Sequence, residues 1–169
     1  VSGVTNMSSM FQTALSFNQD ISGWNVSRVT DMSHMFQGAE SFNQDISGWN
    51  ISSLLIASNM FDGTGLSADI SFNIWQNWSS VSSINQTNAT AIGQVMNSLN
   101  IIDLSGLYNG ATSFNIDISG WDVSDVTDMS RMFNGAESFG QDISGWNISS
   151  LLIASNMFDG TGLSHNISF

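Results

Sequence analysis

Cysteine, proline and lysine are absent from the 169-residue sequence, and Arg28 and Arg131 are its only arginines. Without cysteine there is no disulfide framework and no thiolate metal site. Without a basic footprint there is nothing to neutralise phosphates, so a nucleic-acid partner is excluded. The formal net charge of −12 sets the chain against anionic membrane surfaces as well, and leaves metal cations or a basic partner as counter-ions. No apolar run reaches the roughly 18 residues of a bilayer span, so membrane insertion is not expected. Charged residues make up 9% of the chain, against about 25% in ordinary soluble domains. Proline is dispensable here because Gly, Asn and Ser can supply the turns.

What is present is apolar and aromatic. Hydrophobic residues account for 41%, with 11 Phe, 6 Trp and 9 Met, too many for a disordered polar linker. Ser, Asn, Gly and Thr fill the polar positions. Such an uncharged polar surface fits a protein that is glycosylated or packed against its own copies. The sequence opens at Val1 inside a repeat and reads as a mature product or an excerpt of a longer chain.

Self-similarity dominates the rest. Val1–Asn25, Val26–Asn50 and Val123–Asn147 are versions of one 25-residue unit, VSRVTDMSHMFQGAESFNQDISGWN in the second. Ser98–Asp122 is the same unit with Leu104, Leu107 and Tyr108 at the Met, Met and Phe positions. Ile51–Phe72 and Ile148–Phe169 are a shortened variant, identical except at Ala68/Asp69 against His165/Asn166. Asn73–Asn97 is divergent. The expected organisation is one domain over 1–169, a repeat solenoid of about seven coils (1–25, 26–50, 51–72, 73–97, 98–122, 123–147 and 148–169). A longer period of 97 residues relates Val1 to Ser98 and Ile51 to Ile148, as in an array of superrepeats.

Within a unit, Ser41–Ser47 alternates Phe42 and Ile46 on one face and predicts a short strand. Met32, Met35 and Phe36 recur at i, i+3 and i+4 and predict a helical or 3₁₀ turn, capped by Thr30 or Asp31 and ended by Gly38. A unit this small cannot bury its own apolar face, whereas stacked units form ladders of equivalent side chains. Phe11, Phe36, Phe61, Tyr108, Phe133 and Phe158 make one candidate core ladder. Phe17, Phe42, Phe114 and Phe139 make a second, and Trp24, Trp49, Trp121 and Trp146 a third. The expected fold class is therefore a β-solenoid with one short parallel strand and one short helical or 3₁₀ turn per coil.

The segments VTDMSHMFQGAESFNQDISGWNVS and VTDMSRMFNGAESFGQDISGWNIS resemble the 25-residue repeat of the BspA-type leucine-rich-repeat surface proteins, V-T-x-M-x-x-M-F-x-x-A-x-x-F-N-Q. The resemblance covers four units well and the two shortened ones in part; Asn73–Asn97 departs from it. It implies a leucine-rich-repeat-like stack, surface exposure, a role in adhesion or assembly, and no enzymatic activity.

Three sets of residues are candidates for chemistry. Asn-x-Ser/Thr sequons occur at Asn6, Asn25, Asn50, Asn77, Asn85, Asn88, Asn147 and Asn166 and make these candidate glycosylation sites; at the repeated Trp-Asn positions the same Asn can equally serve a turn. Asp20, Asp45, Asp117 and Asp142 hold one repeat position, joined by Asp69, while Asp31, Asp103 and Asp128 hold another. Stacked carboxylates repel, and Ca²⁺ would relieve this, so the first four are candidate Ca²⁺ ligands, against a reading as solvated or capping side chains; no other cofactor is expected. Catalytic residues are not expected: His34 and His165 each sit at a variable repeat position, and no nucleophile, phosphate-loop or zinc spacing appears. The expected function is a structural subunit or segment of a glycosylated surface filament or sheath, assembling with copies of itself through uncapped ends. The alternative is an adhesin that binds a host protein or glycan through its exposed sheet or through the divergent segment 73–97.

Overall fold

The structure is a computed structural model that describes residues 2–163. It divides into two compact units, Val1–Leu99 and Asn100–Phe169.

Each unit holds turns stacked at the repeat spacing, and the backbone shows how. Met7, Ser9, Phe11 and Thr13 donate their N–H groups to the carbonyls of Asp31, Ser33, Met35 and Gln37 at 2.7–2.9 Å. Met32, His34, Phe36 and Gly38 donate in turn to Ile56, Ser58, Met60 and Asp62. The residues between them close tight turns instead: Met35 bonds back to Met32, Gln37 to His34 and Ala39 to Phe36. Alternate amides thus serve the next repeat and the local turn, so this buried stretch leaves few backbone groups unpaired. In the second unit Leu104, Gly106, Tyr108 and Gly110 repeat the pattern against Asp128, Ser130, Met132 and Asn134. Met129, Arg131, Phe133 and Gly135 then donate to Ile153, Ser155, Met157 and Asp159.

This arrangement corrects the expected fold class. Among the described residues there is no strand and no sheet, and so no β-solenoid and no leucine-rich-repeat-like coil with a parallel strand. Parallel pairing is confined to single-residue bridges, Asn6–Asp31–Ile56 in one unit and Asp103–Asp128–Ile153 in the other. The predicted strand Ser41–Ser47 buries Phe42 and Ile46, but its neighbours bond to side chains. Asn43 N–H donates to Asn18 Oδ1, and Gln44 Nε2 donates to Asn18 O and Oδ1. Side-chain amides thus replace a backbone ladder. The predicted helical turn is also absent. His34 has φ +57° and Gly38 φ +69°, left-handed values that break a helix after each turn.

The aromatic side chains stack along each unit. Phe11, Phe36 and Phe61 lie face to face at 5.7 and 5.9 Å. Tyr108, Phe133 and Phe158 follow at 6.0 and 5.7 Å. The second row sits against the first: Phe36 to Phe42 is 4.0 Å and Phe133 to Phe139 is 3.9 Å. Trp24 and Trp49 are parallel at 6.5 Å; Trp49, Trp121 and Trp146 are buried, while Trp24 and Phe11 are half-buried. Each pair adds about 1 kcal/mol beyond its area burial, so the order of the stack comes from many small equal terms.

The segment with the divergent sequence is helical. α1 spans Ala68–Ser79 and α2 spans Ala89–Ser98. Ser67 caps α1, its Oγ accepting from the Ile70 N–H, and Asp69 lies in the first turn, where the helix dipole favours a negative charge. Ile74, Trp75 and Trp78 of α1 are buried, as are Ala91, Ile92, Val95 and Met96 of α2, and the two helices touch. Trp78 takes the place a repeat Trp would hold. It stands tilted by 47° at 6.1 Å from Phe61, as Trp24 stands at 38° and 6.0 Å from Phe11. Among the described residues no helix is long and apolar enough to cross a membrane.

Candidate functional site

The candidate ligand and sequon positions are built from one local device. In the Asx-x-Ser triplets of the described repeats the side-chain oxygen accepts the N–H of the Ser two residues on, an Asx turn. The distances are 2.9 Å for Asp20–Ser22 and Asp45–Ser47, and 3.0 Å for Asp117–Ser119 and Asp142–Ser144. Asn25–Ser27, Asn50–Ser52 and Asn147–Ser149 do the same at 3.1 Å. Asp122 replaces Asn25 at the equivalent position and makes the same bond to Ser124. The position therefore demands an oxygen acceptor, which Asn and Asp supply alike.

The carboxylates pay for their charge locally. Hydrogen bonds from the hydroxyl and backbone N–H of Ser22, Ser119, Ser124 and Ser144 hold Asp20, Asp117, Asp122 and Asp142 below the usual carboxylate range. For Asp45 the backbone N–H of Ser47 leads, followed by its hydroxyl. All of these carboxylates are exposed. Among the described residues no group of three or more His, Asp and Glu side chains gathers where a metal ion could be held. The structure thus places Asp20, Asp45, Asp117 and Asp142 in turns and does not bring them into a shared ligand set.

The sequons fall into different environments. Asn25, Asn50 and Asn147 are exposed, and their Oδ1 atoms serve the turn while Nδ2 carries no protein hydrogen bond among the described residues. Asn6 is exposed, with Nδ2 3.3 Å from Asp31 Oδ2. Asn77 is exposed on α1 and donates to the Asn73 carbonyl at 2.9 Å. Asn85 is half-buried and reaches the Ser52 carbonyl at 3.4 Å. Asn88 is fully buried; its Nδ2 donates to Ile51 O and Ser83 O, and its Oδ1 accepts from the Asn85 N–H. Asn166 and His165 lie outside the described residues. His34 sits at a left-handed position and shares a 3.0 Å hydrogen bond with Gln37 Oε1.

Several residues that shape the surface were not singled out from sequence. Asn18 and Asn115 bridge to the following repeat, Asn115 through Gly140 N–H and Gln141 Nε2; the F-N-Q triplet carried that signal. Gln94 of α2 accepts the Ala57 N–H. The loop between the helices brings Ser82, Ser83 and Asn85 against the corner Trp49–Ser52, enclosing a groove of about 420 Å³.

Identical turns, joined one repeat to the next by backbone bonds and stacked rings, define a tandem-repeat protein. The family model described as "Mycoplasma protein of unknown function, DUF285" matches residues 1–95 and again residues 76–168, and the chain belongs to that family. The two matches overlap inside the helical segment. No curated protein and no solved structure matches the chain.

Proposed function

We propose that the chain is a segment of an extracellular surface protein in which the repeat stacks are a scaffold and the helical insert α1–α2 is the recognition element. The resemblance to BspA-type surface proteins supports an adhesive role. The observation that carries the reading is the hydrogen bond from Ala57 N–H to Gln94 Oε1. It stands where the preceding repeat would donate to another repeat, so the insert ends the first stack and offers a surface the repeats do not have. The repeat's backbone amides are largely spent on turns and on bonds to neighbouring repeats. The partner is a host protein or glycan. Deleting the recognition surface is tested by replacing residues 68–98 with the sequence of a regular repeat and measuring binding of the full chain to host cells. Loss of binding with the stacks intact supports the reading; unchanged binding sinks it.

The filament or sheath reading keeps one specific support, apolar side chains exposed at the same repeat positions in both units, Leu55 and Ile56 in the first and Leu152 and Ile153 in the second. Apolar patches of this kind mark contact surfaces, here for further copies of the chain. Electron microscopy of native material, with the intact mass, separates the two. Long rods establish the filament; discrete single chains leave the adhesin.

A further inference from the structure

The groove between the repeat corner and the helix loop has a chemistry of its own. Its polar wall is formed by Asn50, Ser52, Ser82, Ser83 and Asn85, with no charged side chain among the lining residues. Its apolar floor, Trp49, Ile51 and Ile84, is 4%, 3% and 4% exposed. The Trp49 indole N–H is already committed to the Ile21 carbonyl at 3.2 Å, and the ring, stacked on Trp24, has almost no exposed surface. Among the described residues, Asn50 Nδ2 and the Ser52 hydroxyl carry no protein hydrogen bond. Ser83 Oγ lies 3.1 Å from Ser80 Oγ, whose one proton goes to the Asn77 carbonyl at 2.8 Å. Ser82 shares a 3.1 Å contact with Ser80 and is exposed.

A volume of about 420 Å³ lies within the range of small-molecule sites. A site with several neutral donors and acceptors and no ion discriminates by hydroxyl pattern and not by charge. From this we infer that the groove is a binding site for an uncharged saccharide of one or two rings, held by hydrogen bonds at its rim and not by stacking on an aromatic face. The inference rests on the reading of the insert as the recognition element, and names its ligand class.

The molecule contains its own control. Trp146, Asn147, Ile148 and Ser149 repeat the corner residue for residue, but Ile148 is half-buried where Ile51 is buried. Among the described residues the loop 82–85 lies against the first corner, so Ser149 at the second corner serves as the comparison position.

The saccharide has two possible sources, a free glycan or one attached to the chain's own Asn50. The test is an NMR titration of the ¹⁵N-labelled full chain, made without glycosylation, with cellobiose, lactose and chitobiose. Saturable millimolar shifts at Ser52, Ser83 and Asn85, with none at Ser149, are expected for at least one sugar. Ser82→Ala with Ser83→Ala should weaken that sugar about tenfold, the worth of one or two hydrogen bonds, while the amide spectrum elsewhere stays folded. Repeating the titration on glycosylated chain separates the sources. Sugar binding in both forms assigns the groove to a free glycan; binding that appears only after enzymatic deglycosylation assigns it to the Asn50 glycan. No shifts for any neutral sugar, equal shifts at Ser149, or tighter binding of a sulfated disaccharide overturns the assignment. If the chain then still binds host cells through residues 68–98, the recognition reading stands and the groove alone has failed.

Discussion

Gln94 Oε1 stands 2.8 Å from the backbone nitrogen of Ala57 and takes the hydrogen bond that Met32 gives to Ile56 and Met7 gives to Asp31. A helix side chain thus substitutes for the backbone of a missing repeat. Ala57 is fully buried, so its N–H has no water to turn to. Gln94→Ala should destabilise the first unit by about 1–3 kcal/mol, the cost of a stranded buried donor, while Gln94→Glu, which keeps the oxygen, should cost less. Urea unfolding gives the magnitude, and amide exchange at Ala57 should accelerate in Gln94→Ala.

Tyr108 occupies the ladder position of Phe36 and Phe133, and its hydroxyl is buried with no hydrogen-bond partner. Burial also pushes its ionisation far above the ordinary range. Tyr108→Phe removes an unsatisfied polar group while keeping the ring stack with Phe114 and Phe133. The variant should be more stable by about 1 kcal/mol, read as a higher urea midpoint with an unchanged slope.

Thr13 has φ +55° at the position held by Gly38, Gly63, Gly110, Gly135 and Gly160, all at φ +67° to +71°. A β-branched residue in the left-handed region is strained. Thr13→Gly should stabilise the first unit by up to about 1 kcal/mol, the relief exceeding glycine's entropy cost. Gly38→Thr should lower stability, and thermal melts of the two variants should move in opposite directions.

The repeat length was legible because every ladder residue recurs at one spacing, and the structure converts that spacing into backbone bonds from each repeat to the next. The local conformations were not. Alternation at Phe42 and Ile46 records which side chains face inward, and says nothing about whether Asn43 bonds to a backbone or to the Asn18 side chain. The spacing of Met32, Met35 and Phe36 fits one helical turn, but the left-handed His34 lies inside it, and only the amides' division between neighbours explains that. The helices were legible in principle. Ser67 stands before Ala68 and Asp69 as a cap, and Ile70, Ile74 and Trp78 follow at intervals of four. Fitting Asn73–Asn97 to the repeat length hid them. At the sequons the alternative of a turn-forming Asn was visible from sequence, and Asp122 in the place of Asn25 shows what the turn requires. The groove joins residues some thirty positions apart, which no local pattern announces.

Acid should weaken the fold through the Asx turns. Asp20, Asp45, Asp117, Asp122 and Asp142 have folded-state pKa values held below their unfolded ones. Their contribution is complete above the unfolded value, about 4, and is lost as pH falls through the lower folded values. The urea midpoint should be flat from neutral pH to about 5 and decline below 4. Asp45→Asn keeps an oxygen for the Ser47 N–H, as Asn50 does for Ser52, and should flatten part of that decline. An unchanged acid limb in a variant with all five replaced by Asn would refute the assignment.

Burial sorts the sequons. A glycan on Asn88 would have to displace the Nδ2 bonds to Ile51 O and Ser83 O and force a sugar into a site with no exposed surface. Asn25, Asn50 and Asn147 present Nδ2 to solvent on the rim of a turn that needs only the oxygen. Peptide mapping of native material, after enzymatic deglycosylation in heavy-oxygen water, should therefore find any label at the exposed sites and none at Asn88. Substitution gives the converse. Asn88→Ala breaks bonds that tie the helix loop to the repeat corner and should cost about 1–3 kcal/mol. Asn25→Asp keeps the turn, as Asp122 does naturally, and should leave stability near wild type at neutral pH. A glycan found on Asn88 in folded protein would mean that the loop 82–88 opens before or after modification, and the groove beside Ser83 would then be open too.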